Sequence, residues 1–260
     1  MEEVRTTIQH FIEKMNYLEN EHVLGVFFCG SYLSGFQHKN SDIDLNIVFD
    51  QSQNDHLVRG TLLVDGIRIE YFEKPIQDLY DSVDRDYQNQ NNALLSIIGT
   101  AEIIFDKTGE LRKLQDYTLK KFKKPLPPLA PEKAKEKIAI LYNRFEEIKT
   151  AEQENSPYFY ILYYIFLEKV RKFYHQLHGL PEVQTAKVFK VYTDPEYQEA
   201  FYRDRLPEEE FITMYLNAAA TPSRNQEELL QLASNLFQYT IKAIPFDREN
   251  HRIYIKSRNK

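Results

Sequence analysis

Phe27-Phe28-Cys29-Gly30-Ser31-Tyr32 and, after a short polar gap, Ser41-Asp42-Ile43-Asp44-Leu45-Asn46-Ile47-Val48-Phe49 form the stretch from which the rest of the chain is read. An apolar run ends in Gly-Ser, a polar loop follows, and a second apolar run opens with two carboxylates one residue apart. Alternate side chains of a strand share a face, so Asp42 and Asp44 point one way while Ile43 and Leu45 bury on the other. Two carboxylates forced together repel, and a cation between them relieves that cost. Oxygen ligands from a few carboxylates and from substrate phosphates are the usual setting for magnesium, which gives up its waters reluctantly. Gly30 lets the backbone approach a phosphate closely, and Ser31 adds a hydroxyl and an amide donor.

Downstream, Gly66-Ile67-Arg68-Ile69-Glu70-Tyr71-Phe72 alternates with Ile67 and Ile69 on one face and Arg68 and Glu70 on the other. Glu70 supplies a third acid for the Asp42/Asp44 pair. An Asp-x-Asp alone occurs on many strand edges, and an isolated Gly-Ser is usually a turn. The reading rests on their order, between apolar runs and ahead of a strand acid.

This pattern resembles the signature of the polymerase-beta-type nucleotidyltransferase superfamily, in which a Gly-Ser turn holds the nucleoside triphosphate and an Asp-x-Asp pair binds two metals. Polymerases and many relatives carry Asp at the third place; a Glu followed by aromatics is more similar to the antibiotic-modifying branch, which includes the kanamycin nucleotidyltransferases. The resemblance implies transfer of a nucleoside monophosphate, AMP from ATP, to a hydroxyl of a small molecule such as an aminoglycoside, with two magnesium ions. Asp42 and Asp44 would hold both ions and Glu70 one of them, with Gly30 and Ser31 on the nucleotide. It also implies a general base on the first long helix of a second domain. Glu146, in Asn143-Arg144-Phe145-Glu146-Glu147-Ile148-Lys149, is the candidate, with Glu147 and Glu168 behind it. As base, Glu146 would need its pKa raised by burial; glutamates in such pairs are otherwise solvated or paired one turn away. Lys187 resembles the lysine that small-molecule nucleotidyltransferases aim at the triphosphate, and lysine suits phosphate as a point charge. Arg68 could steady Glu70, and His38 and Lys39 could touch phosphate. Related antibiotic enzymes pair two subunits, which makes a homodimer the implied assembly.

Apolar spacing at Val4, Ile8, Phe11, Ile12, Met15 and Leu18 predicts a helix over 2–20. Strands follow at 23–29 and 42–49, then a strand pair over 61–72 about Asp65-Gly66. A helix from Pro75 to about Tyr87, one at 93–98, a strand at 101–106 and a helix at 111–122 complete the first part. Lys123-Lys124-Pro125-Leu126-Pro127-Pro128-Leu129-Ala130-Pro131 has four prolines in its last seven residues and reads as a stiff linker. Beyond it, 132–153, 157–178, 195–203, 207–219 and 225–243 carry helical periodicity, and Arg252–Lys256 is strand-like. The fold class is therefore α+β: a small mixed sheet with flanking helices over 1–124, a linker at 125–131, and an all-α bundle over 132–260. Aromatics crowd 158–174, enough to make most of them core. His175 and His178 sit at that helix's end, where the dipole favours a cation.

The formal charge is −6. Residues 130–260 balance at nineteen basic and nineteen acidic side chains, so the whole excess falls on residues 1–129. A chain that tracks a nucleic acid carries a basic stripe, and none is evident, which argues against polymerase and tRNA-processing roles. An acidic half suits a cationic acceptor and equally suits plain solubility. One cysteine, Cys29, excludes an internal disulfide, and its place at the end of an apolar strand suits packing over reactivity. No run approaches the roughly 18 apolar residues of a membrane span, and the start lacks a basic-then-apolar leader, so the cytoplasm is the expected compartment. Two other classes share these residues: a protein-modifying, antitoxin-like nucleotidyltransferase and a silent nucleotide-binding protein. The intact acids speak against the second, and the fused helical part against the first.

Overall fold

In the computed structural model, which describes residues 1–53, 55–91, 93–201, 205–220 and 224–247, the chain divides into two compact units. One comprises Met1–Leu126 with Pro195–Asp204, the other Pro127–Asp194 with Arg205–Lys260. The first is built on five strands: β1 (Val23–Cys29), β2 (Ile43–Phe49), β3 (Val58–Val64), β4 (Ile67–Pro75) and β5 (Glu102–Asp106), in the order β3-β4-β2-β1-β5. β2 and β4 run parallel, and the other neighbours are antiparallel, so the sheet is mixed. Asp65 and Gly66 both have positive φ, 51° and 79°, as a two-residue turn between right-twisted strands requires, and they fix the β3–β4 register.

Helix α1 (Glu2–Lys14) lays Val4, Ile8, Phe11 and Ile12 on one face of the sheet, against Val26, Phe28, Leu45, Ile47 and Ile69. The short α2 (Ser31–Ser34) follows β1. Helices α3 (Ile76–Gln88), α4 (Ala93–Gly99) and α5 (Glu110–Phe122) cover the other face, burying Leu79, Ile98, Leu111 and Leu114 with Phe27, Cys29 and Val48. Each buried Leu, Ile or Phe contributes on the order of 1.5–3 kcal/mol, so these layers hold the strands that carry the polar face. The expected helix over 2–20 stops at Lys14: Asn16 takes φ 57°, Leu18 is 42% exposed, and Tyr17 turns in to donate its hydroxyl to buried Glu73, which also pairs with His56 Nε2.

The second unit contains α6 (Pro131–Gln153), α7 (Phe159–Leu177), α8 (Val188–Thr193), α10 (Glu209–Ala219) and α11 (Gln226–Ile241). Between α7 and α8 lies a 3₁₀ turn, Thr185–Lys187; α9 (Pro195–Ala200) belongs to the first unit. Phe159, Tyr163, Phe166, Phe173 and Tyr174 of α7 are buried as expected, with Phe166 against Phe237 of α11 (5.6 Å) and Tyr174 stacked on Phe211 of α10 (3.7 Å). The dipole reading of the two histidines is corrected. His175 is buried, with Nδ1 bound to the Pro181 carbonyl (2.6 Å) and Nε2 to the Tyr192 hydroxyl (2.7 Å), while His178 is exposed and partial desolvation pushes it below its ordinary value. The strand-like run Arg252–Lys256 lies outside the described residues. α2 and α8 escaped the periodicity because four and six residues are too few to show it.

Candidate active site

Three adjacent strands carry polar residues in rows on the face away from α1. The register sets Asp44 of β2 beside Glu70 of β4, and Glu70 beside Thr61 of β3; on the other side Asp44 pairs with Cys29 of β1. Neighbouring strands lie about 4.8 Å apart, so the Asp44 and Glu70 side chains leave the sheet together. The next row is Phe27, Asn46, Phe72 and Arg59. Ile43 and Leu45 are fully buried on the opposite face, as alternation requires.

Gly30 ends β1 with φ 84° and ψ −162°, a backbone region open essentially to glycine. The Asp44 carboxylate lies directly against it: a Cβ there would come 2.0 Å from Asp44 Oδ2. The motif's glycine and second aspartate are thus one packed unit. Ser31 opens α2, and the turn is closed by Ser34 Oγ donating to the Gly30 and Ser31 carbonyls (3.3 and 3.2 Å). Cys29 is buried, and burial pushes its thiol up to about 12, with the Asp44 charge adding to the effect, so it packs as a neutral thiol.

Two arginines answer the other carboxylates. Arg68 Nε donates to Asp42 Oδ1 (2.5 Å) and, through Nη2, to the Asn40 carbonyl (3.5 Å). The expected partnership of Arg68 with Glu70 is corrected: Arg59 of β3 takes Glu70, with Nε and Nη2 at 2.9 and 2.5 Å from Oε1. Arg59 is the residue sequence reasoning missed. The Asp65-Gly66 turn held the signal, because it pairs Glu70 with Thr61 and so leaves Arg59 one diagonal step away. His38 is engaged in its own loop, where Nδ1 accepts from the Asn40 amide (3.2 Å), and Lys39 is exposed.

Among the described residues, no three His, Cys, Asp or Glu side chains are gathered closely enough to hold a metal ion. The donor set nonetheless fits a hard divalent cation: three carboxylates from neighbouring strands, no sulfur, and one of them seated on a glycine. Asp42 and Glu70 would join such an ion by turning from their arginines.

The other candidates belong to the helical unit. Glu146 of α6 is half-exposed and pairs with Lys149 (3.0 Å); Glu147 pairs with Arg144 (2.7 Å). Glu168 accepts from Lys172 (3.0 Å) and Thr185 Oγ1 (2.9 Å), which hold it below the usual carboxylate range, opposite to what a general base needs. Lys187 ends the 3₁₀ turn, exposed, with its amide on the Gln184 carbonyl (2.8 Å).

A mixed sheet that presents a Gly-Ser turn, an Asp-x-Asp strand and a third strand acid on one face defines a nucleotidyl-transfer fold. The sequence model of the nucleotidyltransferase domain family matches residues 8–153, more than half of the chain, and the chain belongs to that family. Such domains use a nucleoside triphosphate and a divalent metal. Among solved structures, a nucleotidyltransferase-like protein from Exiguobacterium sibiricum 255-15 is similar in fold, with a TM-score of 0.50 over 92% of this chain and 75% of that one at 12% identity. No curated protein matches the chain. Among the described residues no helix is long and apolar enough to cross a membrane.

Proposed function

We propose that the chain transfers a nucleoside monophosphate, AMP from ATP, onto a hydroxyl of a small molecule and releases pyrophosphate. The observation that carries this reading is the pairing of Asp44 with Glu70 on parallel strands, with the Asp44 carboxylate seated on Gly30. Asp42 and Asp44 are the residues to hold two magnesium ions, and Glu70 to hold one of them. When bound, the ions lower the pKa of the acceptor hydroxyl and neutralise charge on the departing pyrophosphate. Gly30 and Ser31 receive the triphosphate, with Lys187 as a further cation. The acceptor oxygen forms a bond to the α-phosphorus as the bond to the bridging oxygen breaks; Glu146 is the residue proposed to take the proton, and for that role it would have to exchange its exposed pairing with Lys149 for burial against the acceptor.

The resemblance to antibiotic-modifying enzymes names an aminoglycoside-type acceptor, and the charge of residues 1–129 is compatible with it. A sheet part over 1–124 followed by a helical part over 132–260, from which 195–204 returns to the sheet unit, is the layout that branch would lead one to expect. A homodimer, a cytoplasmic setting and no nucleic-acid partner belong to the same proposal. Its test is mass spectrometry of reactions with magnesium, ATP and a panel of aminoglycosides and lincosamides, beside an Asp42→Asn/Asp44→Asn control. A nucleotidyl adduct absent from the control is the expected result; no adduct with ATP binding intact refutes the small-molecule acceptors tested and turns the reading to a protein acceptor.

A further inference from the structure

We propose that the open pocket between the β3–β4 hairpin and α3 is a second ligand site, beside Glu70, for a small organic anion: a phosphate monoester with a flat apolar body. The pocket is a shallow depression, open to solvent, of about 400 Å³. β4 sets Glu70, Phe72 and Lys74 in line on one face, and α3 adds Asp78, Ser82 and Arg85, a single stripe at helical spacing.

Its charge is what names the ligand. Among the described residues Lys74 has no carboxylate at ion-pair distance, and the Arg85 guanidinium donates only to Ser82 Oγ (2.8 Å). Asp78 is the single carboxylate in the wall. Arg59 contributes a further guanidinium, held on one side by Glu70 and lying 5.3 Å over the Phe72 ring. An arginine fork and a lysine point charge are the donors that phosphate recognition uses. The Phe72 ring beneath Arg59, with exposed Leu57 (60%) and Val58 (38%), gives the pocket an apolar side for a flat group. A polycationic aminoglycoside would meet like charge here.

This is not the place of the triphosphate. Gly30–Ser31 ends β1, and the order β1-β2-β4-β3 puts the pocket on the far side of Glu70, about 10 Å or more away at ordinary strand spacing. Arg59 belongs to both sites, so an anion in the pocket draws on the guanidinium that otherwise holds Glu70. The site is therefore separate from the acceptor's, and its ligand would act on the proposed transfer through the Arg59–Glu70 pair. That role rests on the transfer reading, whereas binding does not.

Phenyl phosphate is the probe, titrated by calorimetry into the full chain. Saturable one-site binding is expected, weakened at least ~10-fold in Lys74→Glu and in Arg85→Glu, as loss of a charge-assisted contact requires. Binding should survive in Asp42→Asn/Asp44→Asn and should not be displaced by kanamycin. Lys74→Gln and Arg85→Gln, on the partly exposed wall, replace either reversal that fails a circular-dichroism check. No binding to the wild type, or equal binding by the wild type and both wall variants, overturns the site. Phenyl phosphate carries no alcohol to accept a nucleotide, so its binding tests the site alone: binding with no adduct on any compound of the panel leaves the site standing while the small-molecule acceptors fail, and adducts with no phenyl phosphate binding do the reverse.

Discussion

Replacing Gly30 by alanine separates two costs that the site imposes on one residue. The backbone at φ 84°, ψ −162° is a region where any side chain costs about 1–3 kcal/mol. A Cβ would also stand 2.0 Å from Asp44 Oδ2 and 2.9 Å from its Cγ, so the carboxylate must leave its seat. Together these predict a loss of about 3 kcal/mol or more in Gly30→Ala, within the range of severe single substitutions. Gly35→Ala is the internal standard: φ is 78°, nothing lies within 4 Å of its Cβ, and only the left-handed backbone cost of about 1–2 kcal/mol applies. Urea unfolding of the two variants, read as the shift in midpoint at constant slope, measures both. In an Asp44→Ala background the carboxylate is gone and the nearest remaining atom is the residue-44 Cβ at 3.2 Å, so the Gly30→Ala cost should shrink by about 1–2 kcal/mol of coupling. Equal destabilisation by Gly30→Ala and Gly35→Ala, or an unchanged cost without Asp44, would refute the idea that glycine and aspartate are packed as one unit.

Arg59→Ala and Arg68→Ala each remove a competitor for a carboxylate in a solvent-accessible ion pair worth about 0–1 kcal/mol, so manganese binding followed by electron paramagnetic resonance should tighten by up to ~5-fold in each. EDTA should lower the urea midpoint of the metal-loaded chain only to that of the metal-free chain, which folds because the arginines already answer Asp42 and Glu70. Partial desolvation at the end of α7 holds the exposed His178 below its ordinary value of 6.5, so its neutral form is the one that suits the fold. The stability it contributes is complete above that value and is lost as pH falls through the depressed folded one; replacing it by Gln should flatten the acid side of a stability–pH profile at no more than about 1.4 kcal/mol per pH unit. Glu146→Gln should lower turnover by ~100-fold or more with ATP binding unchanged, the split expected of a proton acceptor.

The strands and carboxylates were legible because period-two alternation leaves little choice: with Ile43, Leu45 and Ile69 buried, Asp42, Asp44 and Glu70 must share the other face. Register also explains why Glu70, and not nearby Glu73, joins them, since Glu73 points to the α1 side and is tied to Tyr17 and His56. The arginine partners were less legible, because a long side chain reaches a row beyond its own and the choice between Asp42 and Glu70 for Arg68 turns on rotamers. Helical periodicity located α6, α7, α10 and α11 but could not tell a dipole-favoured histidine from a core one. His175 needed the Pro181 carbonyl and Tyr192, which are distant from it in any helical pattern.

Phe36, in the loop that follows Gly30 and Ser31, packs edge-on against Tyr197 (5.0 Å) and beside Phe201 (5.9 Å), both from the Pro195–Asp204 segment that the sheet unit takes back from late in the chain. The backbone therefore passes between the units at 126/127, 194/195 and 204/205, and the sheet unit is discontinuous in sequence. A fragment cut at the proline-rich segment would be a sheet whose signature loop had lost its aromatic clasp. Engineering that seeks the catalytic half alone must graft 195–204 onto it by a new connection, or keep the chain whole.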